Sequence, residues 1–71
     1  MKGLMEMNHI SINTPVMVVN TGDSNVDGLT GRITGIAATD IFVVIYIITL
    51  DKLLNTWSTI TIPDSCLEII H

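Results

Sequence analysis

The stretch "DIFVVIYIITLD", residues 40–51, decides how the chain is read. From Ile41 to Leu50 there is no charge, and only Thr49 and the tip of Tyr46 are polar. Ten residues are too few for a membrane helix, which needs about 20. Dense Val, Ile and Thr disfavour a helix and favour a strand. A strand alternates its side chains between two faces. Taking Ile48 and Leu50 as inward puts Phe42, Val44 and Tyr46 on the core side. Val43, Ile45 and Ile47 then point outward with Thr49. A solitary small β-domain carries polar residues on such a face. Three adjacent β-branched side chains in water are an aggregation hazard. The outer face of this strand is therefore expected to be an interface.

Bulk properties agree with that expectation. The 71 residues hold one small domain, whose single core gives marginal stability. Hydrophobic residues are 48% and charged residues 14%, against about 25% charged in an average soluble domain. A domain this small cannot bury so much apolar surface alone, and exposed apolar patches mark interfaces. A homo-oligomer is the expectation. Net charge is −4, and the cations Lys2, Arg32 and Lys52 are scattered. Nucleic-acid binders cluster their basic residues, because phosphate neutralisation supplies much of their affinity. Nucleic acid is not an expected partner. Cys66 is the single cysteine, so no disulfide forms within the chain. One thiol and no signal-like stretch in "MKGLMEMNHI" fit a reducing, cytoplasmic setting. No membrane association is expected.

Working outward along the chain, residues 1–12 read as a flexible N-terminal segment and 13–71 as a single domain. The first strand starts near Thr14, because Pro15 fits only a strand start, edge or bulge. "TGDSNVDG", residues 21–28, is a polar loop. "LTGRITGIAA", residues 29–38, is a second strand with Gly31 and Gly35 inside it. Interior strand glycines imply a bulge, a bend or close backbone approach. "DKLLN", residues 51–55, reads as a turn after the third strand. "TWSTITI", residues 56–62, alternates Ile60 and Ile62 against Trp57, Thr59 and Thr61. "PDSC", residues 63–66, has tight-turn or 3₁₀ composition. "LEII" closes the chain as a short strand with Leu67 and Ile69 inward. The expected fold is all-β, a five-stranded antiparallel barrel with a 3₁₀ turn before the last strand. Closure would remove exposed edges.

Residues 15–36, "PVMVVNTGDSNVDGLTGRITGI", resemble the KOW-type motif of SH3-like barrels, with Gly28, Gly31 and Ile33 at the matching spacing. "ITIPDSCLEII", residues 60–70, resembles the end of an SH3-type barrel, where a Pro-led 3₁₀ turn separates the last two strands. The resemblance spans about 55 residues, from Pro15 to Ile70, and implies an SH3-like barrel. The overall form is also similar to short uncharacterised SH3-like proteins encoded by bacteriophages. That similarity implies an accessory protein in the host cytoplasm that binds and modulates a host protein, such as a defence or transcription component. Two departures qualify the family's functions. PxxP recognition needs stacked aromatics, and this chain has only Phe42, Tyr46 and Trp57. The basic loop residues of ribosomal KOW proteins are also missing.

Asp23, Asn25 and Asp27, followed by Gly28, match the first half of a calcium loop. The twelfth position, where a bidentate Glu belongs, is Thr34. The alternative is a turn in which Asp and Asn bond their own backbone. His9, Cys66 and His71 lack paired zinc-ligand spacing, and Cys66 fits a small buried hydrophobe. The serines and histidines show no nucleophile motif, and "GLTGRITG" lacks the Lys-Ser/Thr of a phosphate loop. The chain is expected to be non-enzymatic and to need no cofactor. Trp57 is either an interface anchor or the cover of one barrel mouth.

The leading expectation is thus a non-catalytic, self-associating interaction module using Val43, Ile45, Ile47 and Trp57. One alternative is an oligomer that sequesters a small anionic ligand, such as a nucleotide, with Arg32 and Tyr46 lining the site. The other is a KOW-like module of a nucleic-acid or transcription complex.

Overall fold

A computed structural model describes residues 9–70. The protein is all-β. Five strands run β1 (Pro15–Val18), β2 (Thr30–Thr39), β3 (Val44–Leu54), β4 (Trp57–Pro63) and β5 (Leu67–Ile69), with a 3₁₀ turn at Asp64–Cys66 before β5. All pairings are antiparallel, in the order β4-β3-β2-β1-β5. Among the described residues the sheet is not closed into the expected barrel: it ends at β4 and β5, which do not pair with each other.

The core follows the period-two reading of β3. Val44, Tyr46, Ile48 and Leu50 are buried and meet Val16 and Val18 of β1, Ile33 of β2 and Ile62 of β4. Ile48 sits at the centre, opposite Ile33 on one side and Ile60 on the other. Tyr46 is the largest fully buried side chain. Its hydroxyl accepts a hydrogen bond from the Ile10 N–H at 2.7 Å. Burial of that polar tip is thereby compensated.

Phe42 departs from the expected pattern. It is 86% exposed and lies outside the strand. The cause is local. The Asp40 N–H bonds the Val43 carbonyl at 2.8 Å, and the Asp40 carboxylate takes the Ile41 N–H. Residues 40–43 are consumed by this turn, so alternation begins only at Val44. The strand then runs four residues beyond Leu50, to Leu54. The expected "DKLLN" turn shrinks to Asn55 and Thr56. Asn55 takes φ 57°, a left-handed conformation that Asn tolerates better than most residues.

Two bulges re-phase β2. Ile33 pairs with Ile48 and Gly35 with Ile47, so Thr34 is an extra residue; Ala37 is likewise extra between Ile36 and Ala38. Each bulge shifts the inward face by one position. Gly31 serves a different need. A Cβ there would lie 2.3 Å from the Thr49 carbonyl oxygen and 2.9 Å from Ile48 Cγ2. β2 and β3 approach too closely at this point for any side chain.

β5 is the shorter edge, with three residues. Leu67 packs against the core, as expected. Ile69 pairs with Val16 yet is 42% exposed; among the described residues no strand pairs with the far side of β5. Residues 1–8 of the expected flexible segment, and His71, lie outside the described residues. Within residues 9–12, Ile10 packs against the core. The next residue along, Asn13, donates its N–H to the Ile33 carbonyl at 2.7 Å.

Candidate protein-docking surface

The sheet's outer face is built on β3. Ile45 and Ile47 are half-buried there. Ile45 lies between Ala38 and Pro63, and Ile47 between Gly35 and Thr61. Gly35 leaves room for the neighbouring isoleucine: a Cβ at Gly35 would come within 3.3 Å of Ile47 Cδ1. Threonines surround the stripe. The Thr49 hydroxyl bonds that of Thr34 at 3.2 Å, and the Thr34 hydroxyl donates to the Ile47 carbonyl at 3.3 Å. Thr59 and Thr61 continue the same face on β4, and both are exposed. The result is a mildly polar surface with an aliphatic centre.

Trp57 begins β4 and is 65% exposed. It pairs with Leu54 across the two-residue turn. Beside it runs a groove of about 610 Å³, lined chiefly by Val26, Ile47, Leu54, Trp57, Ile60 and Ile62. The groove lies beside β4, which is an edge strand of the sheet among the described residues. A large aromatic next to an uncharged groove is the usual form of a protein-binding hot spot.

Of the four interface residues expected from the sequence, the structure brings Ile47 and Trp57 to this groove. Ile45 stands one position along β3. Val43 lies in the turn at the opposite end of β3 from Trp57, away from the groove. Sequence alternation did not single out Val26, Leu54, Ile60 and Ile62 as groove residues. Val26 carried a signal, as the one aliphatic residue within the polar loop 21–28. Leu54 carries none, because Asp51, Lys52 and Asn55 around it have the composition of a turn.

The two candidate ligand residues lie on opposite faces. Arg32 is exposed on the outer side, and its Nη1 donates to the Asn13 carbonyl at 3.0 Å. Tyr46 is buried in the core. They do not converge on one site.

The candidate metal loop is organised by its own hydrogen bonds. Asp27 Oδ1 accepts the Thr21 N–H at 2.8 Å and the Thr21 hydroxyl. Asp23 Oδ1 accepts the Asn25 N–H at 2.9 Å. The Asp23 carbonyl takes the N–H groups of Val26 and Asp27. Gly22 and Gly28 adopt φ 85° and 92°, which Gly alone enters freely. Among the described residues no three His, Cys, Asp or Glu side chains are grouped to hold a metal ion. Cys66 packs against the core, with Sγ 3.6 Å from the Asn20 carbonyl.

The Thr21 side-chain and backbone donors hold the Asp27 carboxyl below its ordinary value. Its folded value thus lies below its unfolded one, so Asp27 stabilises the fold above the usual carboxylate range of about 4. That contribution fades as pH falls through the depressed folded value. Urea unfolding of wild type and Asp27→Asn checks this. Wild type is expected to be the more stable at neutral pH, with the gap closing in acid. A gap independent of pH contradicts the assignment.

Among the described residues no helix is long and apolar enough to cross a membrane. No family model fits the chain, and comparison with curated proteins and with solved structures found no match.

Proposed function

We propose that this chain is a non-catalytic protein-interaction module that associates with itself. The observation that carries this reading is Trp57, 65% exposed beside an apolar groove on the open edge of β4. A 71-residue domain that is 48% hydrophobic supports it, since so small a core leaves apolar surface to be covered by a partner. The scattered cations and the net charge of −4 favour a protein partner over nucleic acid. The resemblance of residues 15–36 and 60–70 to KOW-type and SH3-type segments supports a relation to SH3-like folds, here with the described sheet open between β4 and β5. The similarity to phage-encoded proteins supports a host protein in the host cytoplasm as the further partner, which the module would bind and modulate.

Size-exclusion chromatography with light scattering tests the reading. At high micromolar concentration the wild type is expected to exceed its chain mass of 7.7 kDa. Trp57→Ser is expected to weaken association by about 2 kcal/mol, roughly thirty-fold in dissociation constant. A wild type that runs as a monomer at that concentration overturns self-association.

A further inference from the structure

The two open edges of the sheet differ in kind. β5 has three residues, with Glu68 at its centre. Short length and charge are the usual protections of an exposed edge. β4 has seven residues, "WSTITIP", with no charge among them. Its one protective residue is Pro63, at the very end.

The free main-chain groups of β4 follow from the ladder. The Thr34 hydroxyl of β2 reaches the Ile47 carbonyl, so Ile47 directs its main chain toward β2. In an antiparallel ladder successive residues turn their main-chain groups to opposite sides. Tyr46 and Ile48 therefore face β4, where they pair with Ile62 and Ile60. Thr59 and Thr61 are left with their N–H and C=O groups on the open edge.

We infer that two copies of this chain join β4 to β4, antiparallel, about a two-fold axis at Ile60. This rests on the self-association proposed above and specifies its geometry. The register overlaps all of residues 57–63. Thr59 then opposes the partner's Thr61 and exchanges main-chain hydrogen bonds with it. Trp57 lies opposite the partner's Pro63; Trp57 is itself paired with Leu54 across the turn, and the β3–β4 register shifts between Thr49 and Leu54, so the main-chain bonds of the seam are those of Thr59 and Thr61. The two Ile60 side chains face each other on the inner side. The two five-stranded sheets become one continuous sheet, an isologous arrangement that closes on itself.

Charge selects this seam. Each copy carries −4, so contact between copies needs a surface where like charges do not meet. β4 provides one. Asp64, the nearest acid along the chain, falls opposite the partner's Thr56 in this register, and its Oδ2 is turned to the Val44 N–H at 3.4 Å. Pairing through β5 would instead set Glu68 against the same residue of a second copy.

Cysteine cross-linking tests the register. Residues directly opposite in an antiparallel pair have Cα atoms about 4.5–5.5 Å apart, within reach of a disulfide. Under mild oxidation Ile60→Cys is expected to convert almost completely to a covalent dimer. Wild type, with Cys66 alone, and Thr49→Cys, on the neighbouring strand, are expected to remain single chains on a non-reducing gel. Thr61→Pro removes an edge N–H and is expected to keep the circular dichroism of the fold while losing the dimer in light scattering. If that variant does not fold, the cysteine result decides. Light scattering that shows a dimer, with Ile60→Cys cross-linking no more than Thr49→Cys, overturns the β4 seam and leaves self-association standing. A monomeric wild type overturns both.

Discussion

Replacing Gly31 by alanine is expected to cost about 3 kcal/mol or more, at the upper end of overpacking penalties. Small domains have roughly 5–15 kcal/mol in total, and one of this size lies toward the lower end. The variant is therefore expected to show a greatly lowered urea midpoint or no cooperative transition. The added methyl meets the Thr49 carbonyl oxygen at 2.3 Å, Ile48 Cγ2 at 2.9 Å and Leu50 Cα at 3.0 Å. Two of these three are main-chain atoms. A side chain could rotate away, but a carbonyl in the β2–β3 ladder moves only if the strands separate. Trimming Ile48 in the same variant is thus expected not to restore stability, because the Thr49 oxygen stays in place. A wild-type midpoint for Gly31→Ala would contradict the close approach of β2 and β3.

Ile48→Ala is expected to destabilise by about 2–5 kcal/mol. Ile48 is fully buried, and it is flanked across the sheet by Ile33 and Ile60. Three strands meet at this side chain, so the cavity left by its loss collapses poorly, and the upper half of the range is expected. Chemical denaturation of wild type and variant measures it. Thr49→Ala, one residue along and on the exposed face, is the control and is expected to change stability little. Equal losses at the two positions would contradict the assignment of faces on β3.

Those faces were legible in the sequence, because alternation over Val44–Leu50 is uninterrupted and needs only the period of a strand. The ends of β3 were not. Asp40 builds the turn that excludes Ile41 and Phe42, using bonds to nearby main chain that hydrophobicity does not reveal. At the other end Asp51 and Lys52 read as a turn by charge. They are strand residues on an exposed stretch, where charge is compatible with pairing. The glycines announced irregularity in β2, but not its form. Gly31 marks a close approach, and the extra residues themselves are Thr34 and Ala37. The open sheet was hidden for another reason: whether β4 finds a neighbour depends on long-range geometry, not on any local pattern.

The candidate site divides in the same way. Trp57 and Ile47 could be named from alternation alone. Their joint groove with Val26, Leu54, Ile60 and Ile62 needed the loop 21–28 folded back toward β4. Ile41 and Phe42, 78% and 86% exposed, are a second apolar feature, set at the far end of β3 from Trp57.

Trp57 is the single tryptophan of the chain, so its fluorescence reports on the proposed interface without any substitution. In the isolated subunit it is mostly solvated, and its emission is expected to be red, as for indole in water. Self-association through β4 withdraws the ring from solvent. Diluting wild-type protein from high micromolar to nanomolar concentration is therefore expected to shift the emission from blue to red, in step with the loss of dimer mass in light scattering. Emission that stays solvent-like at every concentration, while the protein remains folded, would contradict a docking role for Trp57.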